Sequence, residues 1–194
     1  MSTLHEGLNG ITTPKVFLDW GGSMTGAEIK ESSKTVGDLH RIFRDAAQGA
    51  GVDSQEIVYR VQWWAPVNAG VAGGLFWGVT TIEPGKVGDE YFMTHGHFHA
   101  DRTRAEYYGT VRGKGMLIRM DENRQTWGEE MSPGSLHYID GRHAHRVANT
   151  GDEPLIFWAC WPSDAGYDYA AIAERGFGSR LISKEGRPEF VPNA

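Results

Sequence analysis

The 194-residue sequence contains a single cysteine, Cys160, and no apolar run long enough to cross a bilayer. One cysteine cannot form an intramolecular disulfide, which excludes a disulfide-stabilised scaffold. Cys160 lies in the apolar segment LIFWACW, which favours a buried thiol over a nucleophile. The first ten residues, MSTLHEGLNG, lack the basic and apolar regions of a secretory signal. We therefore expect a protein of the reducing cytoplasm, without a membrane partner.

The sequence also has fewer basic than acidic residues. The sequence has 19 Lys and Arg against 25 Asp and Glu, which gives a net charge of −6. This balance argues against nucleic acid as the main partner, because a phosphate backbone attracts basic surfaces. A single small phosphate is still compatible with it, since a pocket needs only a few local donors. The 40% hydrophobic and 11% aromatic content is sufficient for a folded core.

The sequence indicates one structural domain with little helix. Glycine and proline are spread along the chain as turn residues, so no linker or repeat stands out. Residues 12–20 predict an N-terminal strand or arm. Residues 35–49 predict an amphipathic helix that is capped by Thr35 and ended by Gly49. We expect residues 1–55 to form an arm and helix that pack on a main body of residues 56–194.

From residue 56 onwards the pattern is typical of β-structure. Short runs rich in β-branched and aromatic residues, such as EIVYRVQWW and PLIFWACW, alternate with turn segments such as RGKG, SPGS and NTGDEP. This spacing predicts an antiparallel sandwich or barrel. A final helix is expected over residues 169–175, followed by the apolar run RLIS and a loose end.

Four residues could form a metal site: His97, His99, Glu106 and His145. On a β-strand, residues two apart face the same side, which predicts a shared direction for the first two histidines. We expect the next strand of a tight hairpin to bring the carboxylate, and a closed β-fold to return the last histidine. Three imidazoles and one carboxylate suit a divalent transition metal and leave positions open for water or substrate.

The other histidines rank lower as ligands. Surface or hydrogen-bonded roles are expected for His5, His40 and His137. His95 and His143 compete with the chosen histidines because each also belongs to an H-x-H pair. We expect either of them to lie beside the metal ligands or to face the substrate.

The motifs resemble those of cupins. H-x-H, Glu106 and Gly113 are similar to the first cupin motif, and Pro133-Gly134, His145 and Asn149 to the second. Six residues separate His99 from Glu106, which is longer than the usual cupin gap. This gap, with the segments THGHFHA, RAEYY, NTGDEP and DAGYDY, resembles the cupin-type phosphoglucose isomerases of archaea and some bacteria over residues 78–177. The resemblance implies an all-β cupin barrel (a double-stranded β-helix, or jelly roll) with a few peripheral helices.

The same resemblance implies a function. The family interconverts glucose 6-phosphate and fructose 6-phosphate in glycolysis and gluconeogenesis, as a homodimer with one divalent metal per subunit. Iron is the first choice, and nickel, manganese and zinc are alternatives. Glu106 matches the metal-ligand glutamate of the family and is the candidate base. An enediol route and a hydride shift both stay open.

Substrate contacts carry over by position. Thr80, Thr94, Gly96, Tyr108 and Tyr169 match positions that line the sugar-phosphate site or the metal, and Tyr59 matches another with a less certain register. The sequence departs from the archaeal pattern at four further candidate contacts: Trp161, Tyr167, His95 and Arg142. We expect these changes to affect phosphate donors and substrate preference, with Arg142 supplying a compensating cation.

Two other classes of protein fit the same motifs. One is another cupin metalloenzyme, either an isomerase of a different sugar phosphate or an Fe(II) dioxygenase. Activity with a redox-inert metal and no oxygen uptake would exclude the dioxygenase. The other is a non-catalytic sugar-binding cupin, which has no need of a carboxylate ligand beside the sugar. A purely structural site is disfavoured because the set contains no cysteine.

Overall fold

Short antiparallel strands account for most of the chain. The structure is a computed structural model that describes residues 11–19, 21–44 and 51–193. Fifteen strands and one short helix lie in this part of the chain: β1 Val16–Leu18, β2 Met24–Gly26, β3 Ile29–Thr35, β4 Ile57–Trp64, β5 Leu75–Ile82, β6 Lys86–Val87, β7 Glu90–Tyr91, β8 Glu106–Arg112, β9 Gly115–Met120, β10 Thr126–Met131, β11 Leu136–Ile139, β12 Ala144–Asn149, β13 Leu155–Pro162, α1 Ala170–Ala173, β14 Ser179–Lys184 and β15 Arg187–Pro192.

Two sheets position the candidate ligands. The larger has the strand order β11-β8-β13-β5-β4-β3, and the smaller has the order β10-β9-β12. All pairings in both sheets are antiparallel. Met93 and His97 extend the smaller sheet through single bridges to Ala148 and His145 of β12. This nearly all-β architecture confirms the predicted jelly-roll class.

The core lies between the sheets and includes two strands that are buried on both faces. All six residues of β9 and all six of β12 are buried. Leu117, Val147 and Ala148 are fully shielded from solvent. Because neighbouring residues of a strand point to opposite faces, β12 separates two different environments.

The helix predicted over residues 35–49 does not form in its described part. Residues 36–42 form turns and residues 43–44 a bend, and residues 45–49 lie outside the described residues. Thr35 does act as a cap, since its Oγ1 accepts a 3.2 Å hydrogen bond from the Asp38 N–H. However, the Gly37 N–H donates to Ser54 O at 2.8 Å, which ties this segment to the chain before β4. Leu39 is buried in the core, so the apolar stripe packs without a helix.

The C-terminal segment also differs from expectation. Helix α1 has only four residues, whereas seven were predicted, and Gly176, with a φ of +58°, follows its C-cap residue Glu174. The predicted loose end is wrong, because β15 pairs with β14 along its whole length. A turn at Glu185 and Gly186, both with positive φ, joins the two strands. No helix of the described residues is long and apolar enough to cross a membrane.

The link between the first candidate ligands also differs from the predicted tight hairpin. His97 bridges to His145, and Phe98 bridges to Asp168. Glu106 instead opens β8, which pairs with β11 and β13. The six intervening residues therefore carry the chain from the side of one sheet to the other.

Candidate metal centre

The four predicted ligands lie together, and we refer to His97, His99, Glu106 and His145 as the ligand cluster. One ligand atom from each residue lies within 4.8 Å of those of the other three. The backbones of His97 and His145 exchange two hydrogen bonds, of 3.2 and 3.0 Å, which fixes the two histidines side by side. Glu106 approaches from the first position of β8.

The spacing of the donor atoms fits a metal ion. Atoms about 2.1 Å from a common ion are about 3–4 Å apart. Nε2 of His99 lies 3.2 Å from Oε1 of Glu106, and Nε2 of His145 lies 2.6 Å from the same oxygen. The second approach lacks hydrogen-bond geometry, and this buried nitrogen has no other partner among the described residues. An orphaned imidazole nitrogen beside a buried carboxylate is what a ligand set requires.

Hydrogen bonds at the outer nitrogens orient two of the imidazoles. Nδ1 of His99 donates to the Arg104 carbonyl at 2.6 Å, and Nδ1 of His145 faces the His143 carbonyl at 3.3 Å. With the proton on Nδ1, the Nε2 lone pair of each ring is directed at the cluster. The backbone around the candidate ligands thus favours the tautomer whose Nε2 lone pair faces the cluster.

Two ion pairs hold the loop between His99 and β8. Arg104 forms a two-pronged contact with Asp164 at 3.0 and 2.9 Å. Arg102 bonds to Asp168 at 2.7 Å and to the His99 carbonyl at 2.5 Å. These roles were not predicted from the sequence, although the charged run DRTR between two candidate ligands indicates that ion pairs could hold this loop.

Burial and charge set the protonation of the cluster. Burial, with the nearby His145, lowers the pKa of His97 well below its usual value and favours the neutral, metal-binding form. Burial alone would raise the pKa of Glu106, but the neighbouring His145 and His99 outweigh it, so the net shift is downward. Glu106 is therefore a carboxylate at neutral pH. Burial would likewise lower the pKa of His99, and the Glu106 carboxylate reverses this into a net rise.

Aromatic rings form a wall beside the cluster. Tyr167 and Tyr169 lie 4.8 and 5.5 Å from the His97 ring, measured between centroids. The His95 ring stacks on Tyr169 at 4.9 Å. Tyr108 lies 6.0 Å from the His145 ring, and burial, with the Glu106 carboxylate, raises its pKa well above the usual value. Its hydroxyl therefore stays protonated, and it hydrogen-bonds the Glu106 carboxylate.

The remaining predicted contacts occupy several strands. Thr80 lies on β5, Tyr59 on β4 and Trp161 on β13. Burial raises the pKa of Tyr59 to about 12, so its hydroxyl is also a donor. Thr94 Oγ1 accepts a 3.0 Å hydrogen bond from the Val147 N–H and keeps its own proton free to donate.

Gly96 has a positive φ of +80°, directly before His97. A Cβ at this position would come within 2.9 Å of the Arg146 Cβ and 3.1 Å of the Phe177 ring. Both the backbone conformation and the close packing therefore require glycine.

Arg142 stands apart from the other candidate contacts. Its side chain is 71% exposed, and its guanidinium pairs with Asp140 at 2.9 and 2.5 Å. None of its hydrogen bonds or ion pairs within the described residues involves the ligand cluster. Arg142, whose charge was expected to compensate at a phosphate site, instead pairs with Asp140 on a surface turn.

The lower-ranked histidines have other partners. The His143 ring meets Trp127 edge-on at 5.0 Å, and His40 Nδ1 bonds to the Gly37 carbonyl at 2.8 Å. His137 is buried between Ser135 and Glu129, at 2.8 and 3.0 Å. His5 lies outside the described residues.

A jelly roll with an interior cluster of three histidines and one glutamate defines a cupin with a potential metal centre. A sequence model described as "Glucose-6-phosphate isomerase (GPI)" matches residues 30–193. The chain belongs to the glucose-6-phosphate isomerase family.

Curated relatives agree with this assignment. The chain is 41% identical to "Glucose-6-phosphate isomerase" of Pyrococcus horikoshii over 175 residues, which is 89% of this chain and 90% of the relative. It is 40% identical to the protein of the same name from Thermococcus kodakarensis, over 89% of each chain. It is 36% identical to "Putative glucose-6-phosphate isomerase 2" of Rhizobium meliloti, over 79% of this chain and 77% of the relative.

Solved structures give a weaker match. Oxalate decarboxylase from Bacillus subtilis aligns with 24% identity and a TM-score of 0.45, over 56% of this chain and 26% of that one.

Membership of the family makes the protein an enzyme of the isomerase class. Family membership also indicates the reaction, which is the interconversion of glucose 6-phosphate and fructose 6-phosphate in carbohydrate metabolism.

Proposed function

We propose that the ligand cluster holds one divalent metal ion and that this site interconverts glucose 6-phosphate and fructose 6-phosphate, with Glu106 as the base. The observation that carries this proposal is the state of Glu106. Its carboxylate is buried and anionic, and both His99 and His145 approach a single oxygen, Oε1. The buried carboxylate also takes part in a hydrogen bond with Tyr108, and as an anion it can accept a proton.

The chemistry requires a hydrogen to move between C1 and C2. A bound divalent metal would polarise the two sugar oxygens and orient the substrate. In an enediol route, Glu106 takes the C2 proton of the aldose and returns it to C1. A hydroxyl proton passes from the C2 oxygen to the C1 oxygen in the same conversion. In a hydride shift, the hydrogen moves directly from C2 to C1 and Glu106 only binds metal.

We propose iron as the native metal. The His₃Glu set supports a first-row divalent ion in general, and nickel, manganese and zinc are compatible with it. Metal analysis of protein purified without added metal tests this choice.

We propose that the aromatic wall, together with Thr80, Thr94, Gly96, Tyr59 and Trp161, contacts the sugar phosphate. Supporting this, Tyr167, Tyr169 and Tyr108 lie close to the ligand cluster. Arg142 would reach the substrate only after leaving Asp140.

We propose a homodimer in the cytoplasm. Three exposed apolar side chains cluster on β8 and β11: Tyr107, Leu136 and Tyr138, with exposures of 52%, 69% and 53%. Tyr107 and Tyr138 face each other across the two strands, with ring centroids 5.4 Å apart. An exposed apolar patch of this kind suits contact with a second subunit.

The test is an isomerase assay on metal-stripped and metal-reloaded protein. Fructose 6-phosphate should yield glucose 6-phosphate only after reloading, and His145→Ala should lose both bound metal and activity. Arg112→Met, which alters an exposed pair with Glu153, is the control and should retain both. Absence of metal-dependent conversion would refute the proposal. Oxygen uptake would favour the dioxygenase, and faster turnover of mannose 6-phosphate would favour a different sugar phosphate.

A further inference from the structure

Two neighbouring residues of β12 face opposite environments. His145 belongs to the ligand cluster, whereas Arg146 lies on the other face of the strand, with its guanidinium 4.2 Å above the Phe177 ring. Arg146 is only 4% exposed. Its side chain forms no hydrogen bond or ion pair with any described residue, and its buried Nε has no partner. The buried Glu90 carboxylate acts on this guanidinium through space, but it is hydrogen-bonded to Arg180 and forms no ion pair with Arg146. An anion in direct contact would therefore stabilise the buried charge further.

Arg146 borders a cleft of about 740 Å³. The cleft is lined by five arginines, and we call it the arginine cleft: Arg41, Arg124, Arg146, Arg175 and Arg180. Two acidic residues, Asp38 and Glu174, also line it. Within these seven residues the formal charge is +3, in a protein whose net charge is −6. This concentration of positive charge is therefore local.

The arginines of the cleft differ in how they are engaged. Arg124 bonds to the carbonyls of residues 175–177 at 2.8–3.4 Å, which braces the wall of the cleft. Arg180 bonds to Glu90 at 2.8 Å and to Asn193 at 2.7 Å. Arg146 lacks any such partner within the described residues, while Arg41 and Arg175 are exposed at the rim.

We propose that the arginine cleft binds a small phosphate-bearing anion, with Arg146 as its principal contact, at a site separate from the metal centre. A guanidinium can bind two phosphate oxygens at once, and several arginines suit a dianion better than a single carboxylate. The volume lies in the range of metabolite pockets. Strand alternation places the site behind β12, away from the side of His145.

The cleft and the metal centre share a wall. His95 and Tyr169 line the cleft, and the Tyr169 ring is also 5.5 Å from the ring of His97. A phosphate compound in the cleft would thus lie beside His95 and Tyr169, which are also proposed to contact the sugar phosphate, without occupying the ligand cluster.

Calorimetric titration of the full-length, metal-loaded protein with inorganic phosphate tests the proposal. Arg146→Met should weaken phosphate binding in the cleft about tenfold or more. The KM for fructose 6-phosphate and the competitive inhibition by phosphate should be unchanged, because they report on the metal side of β12. Arg112→Met, at an exposed arginine elsewhere, should leave all three quantities unchanged.

Substitutions at exposed arginines serve as a second test, because replacing the buried Arg146 can itself disturb the fold. Arg41→Glu and Arg175→Glu lie at the rim and should each weaken phosphate binding, whereas Arg112→Glu should not. Phosphate binding that survives in Arg146→Met and in both rim variants would refute the site. A KM that rises together with the loss of phosphate binding would also refute it, since the cleft would then hold the phosphate of the substrate. The titration needs no turnover, so it gives a result even if the proposed isomerisation fails.

Discussion

The main-chain carbonyl of Arg104 accepts a 2.6 Å hydrogen bond from Nδ1 of His99, and this contact links a loop to the ligand cluster. The loop is held in turn by the ion pair between Arg104 and Asp164. Partners that orient a metal-binding imidazole contribute to metal affinity even though they never touch the ion.

Asp164→Ala should therefore weaken metal binding, by up to about tenfold, because Arg104 and its carbonyl would no longer be fixed. Competition with a fluorescent chelator measures the affinity. Glu153→Ala, which breaks the exposed pair with Arg112, is the matched control. Equal affinities in the two variants would show that the loop does not position His99.

Glu106→Gln should lower kcat by about 100-fold or more while some metal stays bound, because the amide can still ligate but cannot accept the proton. Metal content is measured on the same sample as the isomerase rate. Full turnover by the metal-loaded variant would show that Glu106 is not the base and acts only as a ligand.

Asp140 offers a test of pH dependence outside the metal centre. Hydrogen bonds from the Arg142 side chain and backbone hold the pKa of Asp140 well below its usual range. A carboxyl with a lower pKa in the folded state stabilises the protein above its unfolded pKa, near 4, and this contribution is lost as the pH falls. Asp140→Asn should thus lower the free energy of unfolding at pH 7 by less than about 1 kcal/mol, given the exposed pair.

Denaturant titrations at pH 7 and pH 3 measure this difference. The gap between wild type and Asp140→Asn should narrow at pH 3. A gap that is the same at both values would mean that the ion pair contributes nothing to stability.

Asn149 holds the turn after β12. Its amide donates to the carbonyls of Ile82 and Glu153, both at 2.9 Å, and its Oδ1 accepts from the Gly151 N–H at 2.9 Å. Asn149→Ala should cost roughly 2–4 kcal/mol of stability, because it leaves buried backbone groups without partners. Thermal or urea unfolding tests this value against Asn123→Ala, an exposed change on the β9–β10 turn. Equal losses would contradict the role of Asn149.

Most of the strands were predictable from sequence because alternation and turn residues are local signals. β15 was missed since its residues are largely exposed and carry a weak apolar pattern. The helix expected over residues 35–49 shows the opposite error, because an apolar stripe records burial whether or not the backbone is helical. The long-range hydrogen bonds of Val36 with Glu56 and of Gly37 with Ser54 distinguish the observed turns from a helix.

The candidate ligands were predictable because their residue types are rare and chemically distinctive. Their supports were not, since Arg104 and Asp164 are 60 residues apart and charged pairs of this kind occur on any surface. The position of Arg142 also escaped prediction. The motif gives only the sequence position of Arg142. The direction of its side chain depends on the local turn, where it forms a salt bridge with Asp140.

The burial of β12 on both faces has a consequence for how the protein must fold. In the native pairing with β9, His145 lies opposite Arg119 and Arg146 opposite Ile118. A slip of one residue would reverse every side chain of the strand. It would put a guanidinium among the metal-binding imidazoles and a ligand on the far side. A one-residue slip would therefore dismantle the ligand cluster, so a preserved cluster indicates that β12 pairs with β9 in its native register.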